Sequence, residues 1–196
     1  MDRTEIEAGL EALAEQCRLD EVFLELAVYG GSALALHWDY QRSTRDVDIM
    51  VTGDATYLRA KVAEIAQIKG WPIDWMNDAV KGFASPVGTH ELYRQWGDET
   101  GGLRVFTPTR EYLLAMKCMA MRIGSPDGHD DVADIQKLIQ TMGMTGEAQL
   151  LEIVEKYYPR SRIPSKVMFG IQEIMQDMAE KRKHGNEAPH APRKHR

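Results

Sequence analysis

The chain has 196 residues, 43% of them apolar and 28% charged, with a net charge of −6. That length supports one proper core, or one core with a small appendage, and the composition is that of a globular chain rather than a disordered or fibrous one. Two cysteines exclude a disulfide framework, no apolar run is long enough to cross a bilayer, and the acidic, amphipathic first residues do not read as a secretory leader.

In chain order, Thr4 and Glu7 have capping-box spacing, and Ile6, Leu10, Leu13 and Cys17 then recur at helical intervals, which predicts a first helix. Residues 22–29 are apolar and β-branched enough for a strand that stops at Gly30-Gly31. A short helix over 32–40, a strand over 45–51 and a helix over 54–69 capped by Asp54 follow, the last ended by Gly70. A strand over 72–76 comes next, then loop with one helical turn over 77–88. Two more strands over 90–96 and 103–107 flank a turn at 97–102. Thr109 caps a helix to residue 122, the loop 123–128 leads into another helix ending near Met142, and helices over 145–158 and 164–181 complete the chain.

This order predicts an α+β fold. A small mixed β-sheet core with flanking helices occupies residues 1–108, a helical section packed on it occupies 109–180, and the site is expected at their junction. Residues 181–196 hold six Lys or Arg against the one acid Glu187, so this basic tail is +5 and the remainder −11. With no apolar side chain beyond alanine it is expected to be disordered, either a solvated end or an electrostatic arm for RNA or an acidic partner. Cys17 and Cys118 lie on apolar helical stripes and read as buried thiols of a cytoplasmic protein.

The stretch VYGGSALALHWDYQRSTRDVDIMV, residues 28–51, carries the chemistry. Alternation along a strand puts Asp46 and Asp48 on one face and Val47 and Ile49 on the other. Two carboxylates so close repel one another, and a divalent cation relieves the repulsion; Mg²⁺ is commonly held by one or two carboxylates together with substrate phosphates. Gly30, Gly31 and Ser32 supply a turn whose backbone can approach phosphate at the start of a helix. Arg42 and Arg45 lie between, as phosphate or base contacts or as solvated loop arginines; His37 reads as packing or surface.

A third carboxylate would complete a two-metal site. Asp74, between Ile73 and Trp75, is the first candidate and an edge-strand acid in the alternative; Asp78 is the second. Lys117 falls on the apolar stripe of its helix with Leu113, Leu114, Ala120 and Met121, so it must either snorkel to water or meet an anion. Asp131 and Asp134 share a helical face at i, i+3 and are positioned to accept from Lys117 or Arg122, to reach an attacking group, or, like Asp130, to cap the helix.

The pattern G-G-S-x-L…R-x-T-x-D-V-D-I, written here by Gly30, Gly31, Ser32, Leu34, Arg42, Thr44, Asp46, Val47, Asp48 and Ile49, resembles the opening motif of the nucleotidyltransferase superfamily typified by DNA polymerase β. More narrowly the chain resembles small bacterial nucleotidyltransferase-like proteins related to the AbiEii toxins, over roughly residues 20–140. The resemblance implies transfer of a nucleoside monophosphate from a nucleoside triphosphate to a hydroxyl of a tRNA or protein, and a cognate antitoxin as partner. It implies Mg²⁺, with two ions expected on Asp46, Asp48 and Asp74, and nucleotide contacts from Gly30, Gly31, Ser32, Arg45 and Lys117. Asp46, Asp48, Lys117 and Asp131 would then be the catalytic set. A small hydroxylated acceptor of the antibiotic type, or nucleotide binding without turnover, are the other readings.

Overall fold

The computed structural model describes residues 1–37, 43–121 and 131–186. They form an α+β fold with one five-stranded mixed sheet. The chain divides into two compact units, Met1–Leu113 and Leu114–Arg196.

The first unit opens with helix α1, Arg3–Leu19. Its cap is Asp2 rather than Thr4: the Asp2 carboxylate accepts from the Glu5 amide at 2.9 Å and the Glu5 carboxylate accepts from the Asp2 amide at 2.9 Å. The same spacing recurs two residues later, but Glu7 is taken by Arg3 and by the Tyr93 hydroxyl, so the earlier pair starts the helix. Strand β1, Phe23–Val28, leads directly into α2, Gly30–His37, which begins two residues sooner than expected; the expected extension over 38–40 and Arg42 lie outside the described residues. Strand β2, Val47–Thr52, and helix α3, Ala55–Lys69, follow. Asp54 caps α3 by accepting from the Thr56 and Tyr57 amides, and Gly70 closes it at φ +68°, both as expected.

Strand β3 is only Met76–Asn77, and a 3-10 turn Ala79–Gly82 comes next. Strands β4, His90–Asp98, and β5, Gly101–Pro108, make a hairpin. The sheet order is β3-β2-β1-β5-β4: β1 is antiparallel to β2 and parallel to β5, β2 is parallel to β3, and β4 is antiparallel to β5. The inward residues of β1 and β5 (Leu24, Leu26, Leu103, Val105) pack with Ile6, Leu10 and Leu13 of α1 and with Leu58, Val62 and Ile65 of α3 in one core. Trp75 is wholly buried in it and its indole donates to the Val62 carbonyl at 3.0 Å. A Cβ on Gly9 would stand 2.6 Å from the Trp75 ring, so glycine is what lets that ring reach α1.

Helix α4, Arg110–Ala120, contains the boundary between the units. The second unit continues with α5, Asp131–Thr141, α6, Glu147–Tyr157, and α7, Ser165–Asn186, whose core includes Ile135, Leu138, Leu150, Val154, Ile171 and Ile174. The expected start of the tail at Lys181 is corrected here: α7 runs on to Asn186, and the Arg182 guanidinium donates to the Met144 carbonyl at 2.9 Å. A basic run buries nothing, but cations at a helix C-terminus are favoured by its dipole, so the run does not end the helix. Residues 187–196 lie outside the described residues. No helix among the described residues is long and apolar enough to cross a membrane. Cys17 and Cys118 are both buried thiols, and burial pushes them up to about 11 and about 12.

Candidate functional site

Gly30, Gly31, Ser32, Asp46 and Asp48 come together where β1 hands over to α2. The Tyr29 amide donates to the Asp48 carbonyl at 2.8 Å, which fastens the end of β1 to β2 just beyond the last registered pair, Val28 with Ile49. Gly30 then turns the chain at φ +61°, and a Cβ there would stand 2.8 Å from Asp48 Oδ2. Both the backbone angle and the carboxylate demand glycine. A Cβ on Gly31 would meet Thr44 Oγ1 at 3.2 Å. The motif is thus folded against itself, with the Asp48 carboxylate beside the first turn of α2.

Asp46 is fixed more firmly still. Its carbonyl accepts from the Ser32 hydroxyl at 2.9 Å and from the Thr44 hydroxyl at 3.0 Å. Ser32 is buried, so its hydroxyl serves as a strap from α2 to the start of β2, which differs from the phosphate contact expected of it. The Asp46 carboxylate accepts from the Asn77 side-chain amide at 2.8 Å through Oδ2. Asn77 stands opposite Asp48 in the parallel β2–β3 register, and its own Oδ1 accepts from the Ala79 amide at 2.9 Å.

Asn77 is the residue that sequence reasoning missed. Asp74, expected beside the pair, lies in an exposed turn ahead of β3, because burial of Trp75 and the bond from the Val47 amide to the Trp75 carbonyl at 2.7 Å put Met76 and Asn77 next to β2. Asp78 is exposed and ion-paired with Lys81, which holds its carboxyl below the usual range. Arg45 is exposed in the bend before β2. Among the described residues no group of three or more His, Cys, Asp or Glu gathers as a metal site, so Asp46 and Asp48 stand as a pair. Their hard oxygen donors, and a glycine cradle that any Cβ would fill, fit a small divalent cation such as Mg²⁺.

Two histidines lie near the two ends of α2: His90, carried by β4, reaches Tyr29, and His37 is the last residue of the helix. Tyr29 bonds His90 through its hydroxyl at 2.7 Å, with the His90 ring also edge-on to Tyr112, and desolvation holds His90 below its ordinary range. His37 closes α2 against the buried Thr107 hydroxyl and lies 3.6 Å from the Glu91 carboxylate. Between β2, β3 and α3, a groove of about 350 Å³ is lined by Ile49, Val51, Leu58, Arg59, Met76 and Asn77.

Within the second unit, Lys117 meets an anion, one of the two outcomes that its place on the apolar stripe allows. Its ammonium donates to Asp134 at 2.7 Å and to Asp131 at 3.2 Å, and the three side chains are 12%, 4% and 16% exposed. The ammonium expected at a triphosphate is thus shared by two of the chain's own carboxylates. Arg122 and Asp130 lie outside the described residues. Compared with models of protein families, with curated proteins and with solved structures, the chain matches none.

Proposed function

We propose that this chain is a Mg²⁺-dependent nucleotidyltransferase that moves a nucleoside monophosphate from a nucleoside triphosphate to a hydroxyl of an RNA or protein. The observation that carries the proposal is the meeting of the motif's two halves: the Asp48 carboxylate of β2 lies against Gly30 at the first turn of α2, and Asp46, just ahead of β2, is tied by its carbonyl to Ser32 of that helix. Asp46 and Asp48 would hold the cation, whose chemistry is to neutralise triphosphate charge and orient it for in-line displacement. The amides of Gly31 and Ser32, in the first turn of an eight-residue helix, offer donors to phosphate oxygens. Ser32 and Thr44 keep Asp46 in place by holding its carbonyl, so the carboxylate is set before ligand arrives.

In the reaction the acceptor hydroxyl gives its proton to solvent water as its oxygen bonds to the α-phosphorus, the bond to the bridging oxygen breaks, and pyrophosphate leaves. Lys117 and Asp131 enter this proposal through the family resemblance alone, since the contacts described for them lie within their own unit. A toxin role with a cognate antitoxin belongs to the same resemblance.

The test supplies the protein with each nucleoside triphosphate labelled in the α-phosphate, Mg²⁺ and total cellular RNA or cell extract, beside Asp48→Ala. Label transferred to RNA or to protein by the wild type and not by the variant is the expected result, and it names the acceptor class. Mg²⁺-dependent nucleotide binding without transfer to any acceptor would make the chain a binding protein. Equal nucleotide binding by the wild type and Asp48→Ala would remove the carboxylate pair from the site.

A further inference from the structure

Strand β2 has one edge that its neighbours leave incomplete. Along a strand the backbone groups point alternately to its two sides. The Tyr29 amide reaches the Asp48 carbonyl from the β1 side at 2.8 Å, so Met50 and Thr52 face β1 as well. The Val47 amide donates to the Trp75 carbonyl at 2.7 Å on the other side, so Ile49 and Val51 present their N–H and C=O groups to that edge. There the β2–β3 register stops at Asp48 with Asn77. The chain then leaves the sheet as the 3-10 turn Ala79–Gly82, and the amides of Ala79, Lys81 and Phe83 bond within that segment. Among the described residues no strand stands beside Val51 on this edge.

The open edge coincides with the groove between β2, β3 and α3. Val51, Leu58, Val62 and Met76 make its walls apolar, and Ile73, which also lines it, is 69% exposed. An edge of strand donors and acceptors beside an apolar hollow suits an extended peptide: main-chain bonds supply affinity, and the hollow takes alternate side chains. A purely apolar small molecule would fill the hollow and leave the backbone groups unmet. Charge then selects among peptides. Arg59 of α3 lines the same groove and makes no ion pair among the described residues, whereas Asp78 beside it is paired with Lys81. A carboxylate next to the docked apolar side chain would meet that guanidinium. The chain's own segment 187–196 does not suit the place: it has no apolar side chain beyond alanine, Pro189 and Pro192 lack amides, and Arg193, Lys194 and Arg196 would repel Arg59. The far edge of the sheet, β4, is broken by a bulge between Leu92 and Arg94, a common way of blunting an edge.

We infer that the β2 edge at Ile49 and Val51 is a docking site for an extended segment of a partner protein, which adds a short strand there, sets an apolar side chain in the groove and pairs an Asp or Glu with Arg59. This interaction does not rest on the nucleotide chemistry proposed above.

The experiment selects from a phage-displayed library of random heptapeptides on the full chain, then measures the enriched sequences as labelled synthetic peptides by fluorescence anisotropy. The proteins are the wild type, Arg59→Glu and Ala63→Trp, the last placing a large ring in the groove that Ala63 lines. Each peptide is also made with alternate amides N-methylated. Enriched sequences are expected to share an apolar residue with an Asp or Glu beside it. Their affinity should fall at least about tenfold in each variant, and likewise on N-methylation of one alternate set of amides. Hydrogen exchange of the Val51 amide should slow when peptide is bound. If Ala63→Trp fails to fold, Arg59→Glu and the N-methylated peptides decide. No enriched sequence, or equal binding by wild type and Arg59→Glu, overturns the inference. Binding indifferent to N-methylation at every amide makes the groove a side-chain pocket and overturns the added strand. Sedimentation showing a dimer of the wild type that Arg59→Glu dissolves makes a second copy the occupant and overturns the partner segment.

Discussion

Gly30 shows how closely one residue ties backbone to chemistry. At φ +61° a side chain is strained whatever surrounds it, and here a Cβ would also press on the Asp48 carboxylate from 2.8 Å. Gly30→Ala is therefore expected to cost about 1–3 kcal/mol in urea unfolding and to displace Asp48 enough to weaken metal binding. The two contributions separate in a double variant. With Asp48→Ala in the background the contact disappears and the φ strain stays, so the alanine at position 30 should cost less but still cost something. An unchanged unfolding midpoint in Gly30→Ala would mean that the turn is not held as described. The Gly-Gly pair was legible in the sequence as a turn. Its contact with Asp48 was not, because that depends on β1 and β2 pairing through Val28 and Ile49.

Helices and strands differ in how much of this site they disclosed. Lys117 on an apolar stripe had to snorkel or meet an anion, and the i, i+3 spacing of Asp131 and Asp134 offered one; helical periodicity discloses the shared faces but not which of these outcomes is taken. Strand β3 has two residues and no periodicity, so the choice between Asp74 and Asn77 as neighbour of β2 turned on where the Trp75 ring is buried, which is a packing outcome. The end of α7 was hidden for the opposite reason, since a solvated basic run looks alike as helix or as coil. The α4–α5 tie makes a quantitative expectation. Lys117→Met removes the cation that Asp131 and Asp134 share and should cost about 3–5 kcal/mol, read in chemical unfolding. Adding Asp134→Leu should return part of that loss, because the more buried of the two acids is then gone. A cost below about 1 kcal/mol would place the lysine's charge in water instead of between the two acids.

For the molecule as a whole, alternating strand and helix patterns, followed by helices only, were enough to read an α+β fold with a small mixed sheet. The strand order β3-β2-β1-β5-β4 was not readable, since it is set by pairings between segments as far apart as Ala27 and Phe106. That order is also what joins three distant segments of sequence into one site: residues 28–34, 44–52 and 75–79. Hydrogen exchange measures whether they respond together. A ligand bound only to the folded site at about a hundred times its dissociation constant adds about 2.7 kcal/mol, so amides that exchange by opening of that region should slow about a hundredfold. With Mg²⁺ and a nucleoside triphosphate, protection is expected in all three segments at once, including the Ala79 amide bonded to Asn77, and in none of them for Asp48→Ala. The helices α5 to α7 serve as the internal comparison. Protection there without protection at 28–34 and 44–52, or an identical response from Asp48→Ala, would move the ligand away from the Asp46–Asp48 face and with it the proposed chemistry.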